Sequence, residues 1–237
     1  MRLDKLLSAL GAASRSGCRD LIRSGRVKIN GVPAGSGADR VPSGAEVTLD
    51  GQALDTRLTR HVMLNKPAGV LTAREDTRQK TVMDLLPPVY ASLECMPVGR
   101  LDKDTTGLLI LTTDGELAHR LISPQRHVDK VYEAKVEGTL TGEDQAAFAA
   151  GVVLSDFTAM PAALQIMGPG LARVTVQEGK YHQVKRMFGA RGKPVISLRR
   201  LSFGPIELDE TLLPGQYREL TEEEAAALYA AAGMTHA

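Results

Sequence analysis

Apolar residues in this chain fall in short runs broken by turn residues and charges, and that spacing restricts the fold more than any other feature of the sequence. No run approaches the roughly 20 residues needed to cross a bilayer; the longest, 225–234, is short and rich in alanine. Beyond residue 60 the runs read alternately as strands and helices, without the long strand–helix–strand rhythm of a parallel sheet. The class expected is therefore α+β with a mixed, largely antiparallel sheet. Strands are expected over 61–65, 108–112, 130–137, 162–166, 173–176 and 195–198. Helices are expected over 82–86, 116–121, 142–150, 182–190 and 222–232, with Thr141/Asp144 and Thr221/Glu224 as capping boxes. With 237 residues, 43 % of them hydrophobic, a sizeable core is available. It has to be aliphatic: aromatic residues make up 4 % and tryptophan is absent, so each tyrosine carries weight.

The formal charge is +1, from 29 Lys/Arg against 28 Asp/Glu, and bulk charge gives no argument for a nucleic-acid partner. Distribution does. Residues 1–57 hold nine Lys/Arg and six Asp/Glu, the remainder 20 and 22. Arg15, Arg19, Arg23, Arg26 and Lys28 cluster, with Asp20 as the opposing carboxylate. Arg15, Arg19 and Arg23 recur every fourth residue, so a helix capped by Ser14 or Ser16 carries them as one stripe and turns Cys18, Leu21 and Ile22 to the core. Gly25 ends that helix, and Val27-Lys28-Ile29 runs into an Asn30-Gly31 hairpin turn. Such a stripe reads equally as a solvated face or as a phosphate-binding surface. Leu3, Leu6, Leu7 and Leu10, spaced i, i+3, i+4, i+7, mark an amphipathic helix rather than a signal peptide. Cys18 and Cys95 form neither a disulfide framework nor a metal-ligand spacing, which fits a reducing cytoplasm.

Taken together, the strings RLDKLL, SR and LIRSGRVKINGV resemble the S4-type RNA-binding domain, a helix pair and hairpin that present basic residues to RNA. The division expected is residues 1–57 for this S4-like domain and its linker, and 58–237 for a second domain. Val47-Thr48-Leu49 is the last expected strand of the first, and 53–60 a polar linker.

Three polar strings stand out in the second domain. The first, Gly99-Arg100-Leu101-Asp102-Lys103-Asp104-Thr105-Thr106-Gly107, feeds directly into Leu108-Leu109-Ile110-Leu111. Asp and Thr in such a string shape a turn through their own backbone, or they set a carboxylate at the rim of a core. As a whole, GRLDKDTTGLLILT resembles the active-site motif of pseudouridine synthases of the RsuA branch. The resemblance implies that Asp102 is the catalytic carboxylate and Asp104 shapes the loop. It implies for Arg100 a contact that holds the target nucleotide out of its stack, with a plain phosphate contact as the simpler role. In the second string, Lys130-Val131-Tyr132-Glu133, periodicity alone puts Tyr132 on a core face with Ala134 and Val136. The resemblance implies instead a ring stacked on the target uracil, whose hydroxyl is a candidate for proton handling. In the third, Gly179-Lys180-Tyr181-His182-Gln183-Val184-Lys185-Arg186-Met187-Phe188, a helix turns Val184, Met187 and Phe188 inward. The resemblance makes Lys185 the cation beside Asp102, and an adjacent cation favours the ionised carboxylate. His182 and Arg186 are assigned to RNA contact. The YHQVKRM form is similar to the small-subunit rRNA enzymes, and MLNKPAG and LPGQYRELT resemble the family's opening strand and C-terminal signature.

The implied activity is isomerisation of a uridine to pseudouridine in 16S ribosomal RNA, at a uridine-516-type site, with the RNA or a small-subunit assembly intermediate as partner. The reaction needs no redox change, the sequence holds no P-loop, dinucleotide fingerprint or metal cluster, and neither cofactor nor metal is expected. A cytoplasmic monomer with no membrane partner is expected. The competing readings are the same chemistry on 23S rRNA or tRNA, a non-catalytic S4-type RNA-binding or ribosome-assembly factor, and a glycosidase of free nucleosides. The last leaves the basic cluster without a use.

Overall fold

The leucine spacing at the start of the chain becomes helix α1 (Leu3–Ala9), and the arginine stripe becomes α2 (Arg15–Arg23). Ser14 caps α2 by accepting the Gly17 N–H at 3.2 Å. Leu3, Leu6, Leu7, Cys18 and Ile22 are buried with Val27 and Val47 in one apolar cluster. Strand β1 (Val27–Ile29) pairs with β2 (Val32–Pro33) across Asn30-Gly31, whose φ values of 50° and 79° give the primed hairpin turn such a dipeptide favours. On the other side of β1 lies β3 (Val47–Leu49), and β3 pairs in turn with β4 (Gln52–Ala53). Val47–Leu49 is thus not the last strand of this part. Asp50-Gly51 is a second hairpin dipeptide, with φ of 52° and 80°, and it returns the chain as β4. The segment that follows is not simply a polar linker either: Leu54 and Leu58 pack against the apolar cluster and Arg60 is buried.

The model computed for this chain describes residues 1–235. Its contacts divide into two units, one of Met1–Arg60 with Pro87–Cys95, the other of His61–Leu86 with the chain from Met96 onward. The short helix α3 (Pro88–Ser92), read from the sequence as part of the larger domain, therefore clusters with the first unit. There the Arg60 guanidinium lies 5.8 Å from the centre of the Tyr90 ring.

The second unit is built on nine strands: β5 (His61–Lys66), β6 (Met96–Pro97), β7 (Thr106–Thr112), β8 (Lys130–Val136), β9 (Ala163–Gly168), β10 (Leu171–Val176), β11 (Val195–Phe203), β12 (Ile206–Glu207) and β13 (Tyr217–Glu219). The main path runs β13-β5-β7-β11-β8-β10-β9, with β6 on β7 and β12 on β11. Among the described strands only the β7–β11 pair is parallel, so the sheet is mixed and largely antiparallel as expected. β5 and β7 are buried on both faces, which explains their continuous apolar runs. Helices α4 (Gly115–Ile122), α5 (Gly142–Ala150), α6 (Gln183–Ala190) and α7 (Glu222–Ala231) complete the unit. Leu117 and Leu121 of α4 and Leu228 of α7 pack on Met63, Leu108, Ile110 and Phe203. The expected helix at 82–86 is a three-residue-per-turn helix, Val82–Leu85, and β13 was not anticipated because three half-buried residues carry too little pattern. No helix among the described residues is long and apolar enough to cross a membrane.

The register sets the site. Lys66 pairs with Gly107, Gly107 with Arg200, Arg200 with Tyr132, and Tyr132 with Val174, one transverse row across five strands. Gly107 is required where β7 meets β11: its φ is 96°, and a Cβ there would lie 2.3 Å from the Arg200 carbonyl oxygen.

Candidate active site

The loop 100–105 enters β7 from a turn that is clamped from beneath. Lys66, the last residue of β5, is fully buried, and its Nζ lies within donating distance of the carbonyls of Pro67 (3.1 Å), Asp102 (3.1 Å), Lys103 (3.2 Å) and Thr105 (2.9 Å). Burial pulls this ammonium down to about 8, against the fields of Asp104 and Asp102 that hold it up. Buried Thr72 adds a second clamp, donating to Leu101 O at 2.8 Å and accepting the Leu101 N–H at 3.2 Å. Both residues fix the backbone on either side of Asp102.

Above the loop, the first turns of α6 bring cations to the carboxylates. Lys185 Nζ lies 3.0 Å from Asp102 Oδ2 and 2.5 Å from Asp104 Oδ1. Burial works against the Lys185 charge, but hydrogen bonds to Asp104 and Asp102 overcome it and hold the ammonium above its ordinary value. The Lys185 hydrogen bond likewise holds the Asp104 carboxyl below its ordinary range. His182 Nε2 is 3.4 Å from Asp102 Oδ1. His182 caps α6 in the left-handed conformation, φ 49°, and Tyr181 stacks on its ring at 3.8 Å. The two carboxylates differ in setting: the Asp102 side chain is 27 % exposed and the Asp104 side chain 76 %. Asp102 lines a cleft with Arg100, Thr105, Tyr132, His182 and Lys185, and Asp104 does not. Tyr132 is buried, as its strand periodicity predicts, and it also lines this cleft.

A profile of the RNA pseudouridylate synthase family matches residues 60–190, and one of the S4 domain matches residues 1–47. The chain belongs to the RNA pseudouridylate synthase family. It is an isomerase with an S4 domain at its N-terminal end, of the RsuA branch. It is 47 % identical over 230 residues to an uncharacterised RNA pseudouridine synthase of Bacillus subtilis (strain 168), covering 94 % of this chain and 96 % of that one. It is 42 % identical over 232 residues to the ribosomal small subunit pseudouridine synthase A of Yersinia pestis, covering 96 % and 98 %. A solved crystal structure of a pseudouridylate synthase superposes with a TM-score of 0.69 at 36 % identity, covering 96 % of this chain and 99 % of that one.

Within this synthase, the residues singled out from the sequence separate into three groups. Asp102, Tyr132, Lys185, Arg100 and His182 line one cleft. Arg186 does not line it; its guanidinium is drawn to Asp156 and lies 5.2 Å from the centre of the Phe157 ring. Arg15, Arg19, Arg23, Arg26 and Lys28 are all exposed in the first unit. Asp20 is not their sole opposing carboxylate: it pairs with Arg23 at 3.2 Å, while Asp50 takes Arg26 in two bonds of 2.7 and 2.6 Å and Asp4 lies 3.8 Å from Arg19. The partners of Arg19 and Arg26 come from α1 and the β3–β4 turn, which chain proximity did not reveal. Sequence reading passed over Lys66, Thr72 and Gln183. The one available signal for Lys66 was a lysine closing an apolar strand beside a proline.

Proposed function

We propose that this synthase isomerises a uridine of small-subunit ribosomal RNA, 16S rRNA, at a uridine-516-type position, with Asp102 as the catalytic carboxylate. The observation that carries this reading is the pairing of Asp102 with Lys185 at 3.0 Å in a cleft that Tyr132 also lines, with Asp104 turned to solvent. The substrate assignment draws on the full-length likeness to relatives named small subunit synthases.

The chemistry breaks the N1–C1′ bond, turns the uracil, and joins C5 to C1′; N1 gains a proton and C5 loses one. An ionised carboxylate serves it as nucleophile at C1′ or as base at C2′. Lys185 keeps Asp102 oriented and offsets its charge, and Lys66 and Thr72 hold the backbone that carries it. Extruding a base from an RNA stack costs a few kcal/mol. Stacking on Tyr132, worth about 1–3 kcal/mol, and an Arg100 contact offset that cost. The basic stripe of α2 with Lys28 gives the S4 domain, taken as residues 1–57, a phosphate-binding surface that positions the RNA, free or within a small-subunit assembly intermediate. The protein acts as a monomer in the cytoplasm.

The test is carbodiimide-based pseudouridine mapping of rRNA and tRNA from cells with and without the gene, complemented by wild type or Asp102→Asn. A single 16S signal that disappears on deletion and returns only with wild type is expected. A signal in 23S rRNA or tRNA overturns the substrate, and no signal overturns the assignment.

A further inference from the structure

Tyr132 also borders a second cavity of about 270 Å³, which Asp102 does not line and which Lys130, Arg200, Phe203, Met160 and Lys180 border. At the bulk share of about 30 Å³ per water it has room for a group of nucleotide size rather than a single solvent molecule. Arg200 is 1 % exposed and sits in the transverse row between Gly107 and Tyr132. Its Nε donates to Leu108 O at 2.7 Å, but its Nη2 is buried with no hydrogen-bond partner among the described residues. The guanidinium lies 6.0 Å from the Tyr132 ring centre and 5.3 Å from that of Phe203. Lys130, also buried, donates from Nζ to Val128 O at 2.8 Å and Gln177 O at 3.1 Å, and its burial together with the Arg200 charge pulls it down to about 8. The one carboxylate at the cavity, Glu178, is taken by Met160 N–H at 2.7 Å and Gln183 Nε2 at 2.8 Å. Arg200 and Lys130 thus border a cavity whose one carboxylate is held by Met160 N–H, Gln183 and Lys180, and neither makes a salt bridge of its own there. A buried charge is costly unless it is paired, and a guanidinium is a fixed charge shaped for oxyanions.

Arg100, Tyr132 and Lys180 border both this cavity and the Asp102 cleft. Neighbouring parts of one RNA strand can therefore occupy the two at once, the sugar–phosphate backbone spanning from one to the other. We propose that this cavity seats a phosphate of the RNA strand, one adjoining the target uridine, with Arg200 Nη2 and Lys130 as its donors. The proposal rests on the RNA-modifying reading above and extends it to a subsite beyond the reacting nucleotide.

The test measures binding of a small-subunit rRNA fragment that carries the modified uridine, in an Asp102→Asn background that binds without turnover. The fragment is compared with versions in which each linkage flanking that uridine is a neutral methylphosphonate. One such linkage is expected to raise Kd about ten-fold or more, the scale of a lost charged hydrogen bond. Arg200→Gln is expected to raise Kd similarly, to be insensitive to that same linkage, and to lower the slope of log Kd against log salt by about 0.7–0.9. Arg200→Lys keeps the charge and the slope. A purely structural role would move neither the slope nor the linkage profile. If Arg200→Gln does not fold, Lys130→Gln carries the same measurements from the facing wall. An unchanged slope with full sensitivity to every methylphosphonate overturns the proposal. So does competition by inorganic phosphate, beyond that of chloride at equal ionic strength, that is lost in the variant, because it marks a site for free phosphate. Turnover by wild type is scored separately: a fragment that binds with the Arg200 signature but is not isomerised overturns the substrate reading and leaves the subsite standing.

Discussion

The two units use cations in opposite ways. In the first, the basic residues from Arg15 to Lys28 are exposed, and Arg19, Arg23 and Arg26 rest against carboxylates of the same unit. In the second, Lys66, Lys130 and Arg200 are buried and donate to backbone carbonyls, with Arg200 Nη2 left without a partner among the described residues. Surface ion pairs contribute about 0–1 kcal/mol and are screened by salt, whereas a buried cation that loses its acceptors, or a carbonyl that loses its donor, leaves a cost that salt does not relieve. The first arrangement suits a surface that trades one set of anions for another, and the second suits a frame that must not move.

The largest test of this contrast is at the cleft. Asp102→Asn is expected to lower turnover by on the order of 10⁴ or more while RNA affinity stays near wild type; Asp104→Asn should retain measurable turnover. Single-turnover rates beside filter-binding constants separate the two, and equal losses would erase the distinction drawn from their exposure. Next comes the frame. Gly107→Ala forces a Cβ against the Arg200 carbonyl at a φ of 96°, and a loss of about 2–4 kcal/mol in denaturant unfolding is expected from overpacking and backbone strain together.

Lys66→Met is expected to lower kcat about 10²-fold through a displaced loop, with RNA affinity nearly unchanged. Its pH dependence gives a second reading. The folded value of about 8 lies below the ordinary 10.5, so between those pH values the unfolded chain holds more protons than the folded one. Stability from this group therefore rises with pH across that window, having been reduced by the buried charge below it. Lys130, also at about 8, acts in the same direction. Melting temperatures should rise from pH 8 to pH 10 in wild type and about half as steeply in Lys66→Met, where Lys130 alone contributes, and a parallel pair of curves would contradict the burial of Lys66. The smallest effect belongs to the first unit. Arg15→Gln should change unfolding free energy by less than about 0.5 kcal/mol, yet weaken RNA binding and reduce its salt slope by about one contact's share.

Much of the first unit was readable in the chain because its signals are local. Ser14, the fourth-residue arginines, Gly25 and Asn30-Gly31 each act over a few residues, and the elements they delimit follow from them. Asp50-Gly51 was equally local and was passed over, which is why β4 was missed. In the second unit the apolar runs marked most strands, and whole strings, by family resemblance, marked Asp102, Tyr132 and Lys185. Arg186, next to Lys185 in sequence, turns to Asp156 instead of the cleft because successive residues on a helix point about 100° apart, a direction the string alone does not show.

The sequence by itself determined the local vocabulary of this protein: where helices start, which hairpins close, which carboxylate sits at the mouth of an apolar strand. Tertiary structure decided the transverse row of Lys66, Gly107, Arg200 and Tyr132, because register between strands far apart in the chain depends on the long-range pairing of β5, β7, β11 and β8. It is that row, and not any string within one strand, that sets a buried ammonium under the Asp102 loop and a buried guanidinium beside the tyrosine.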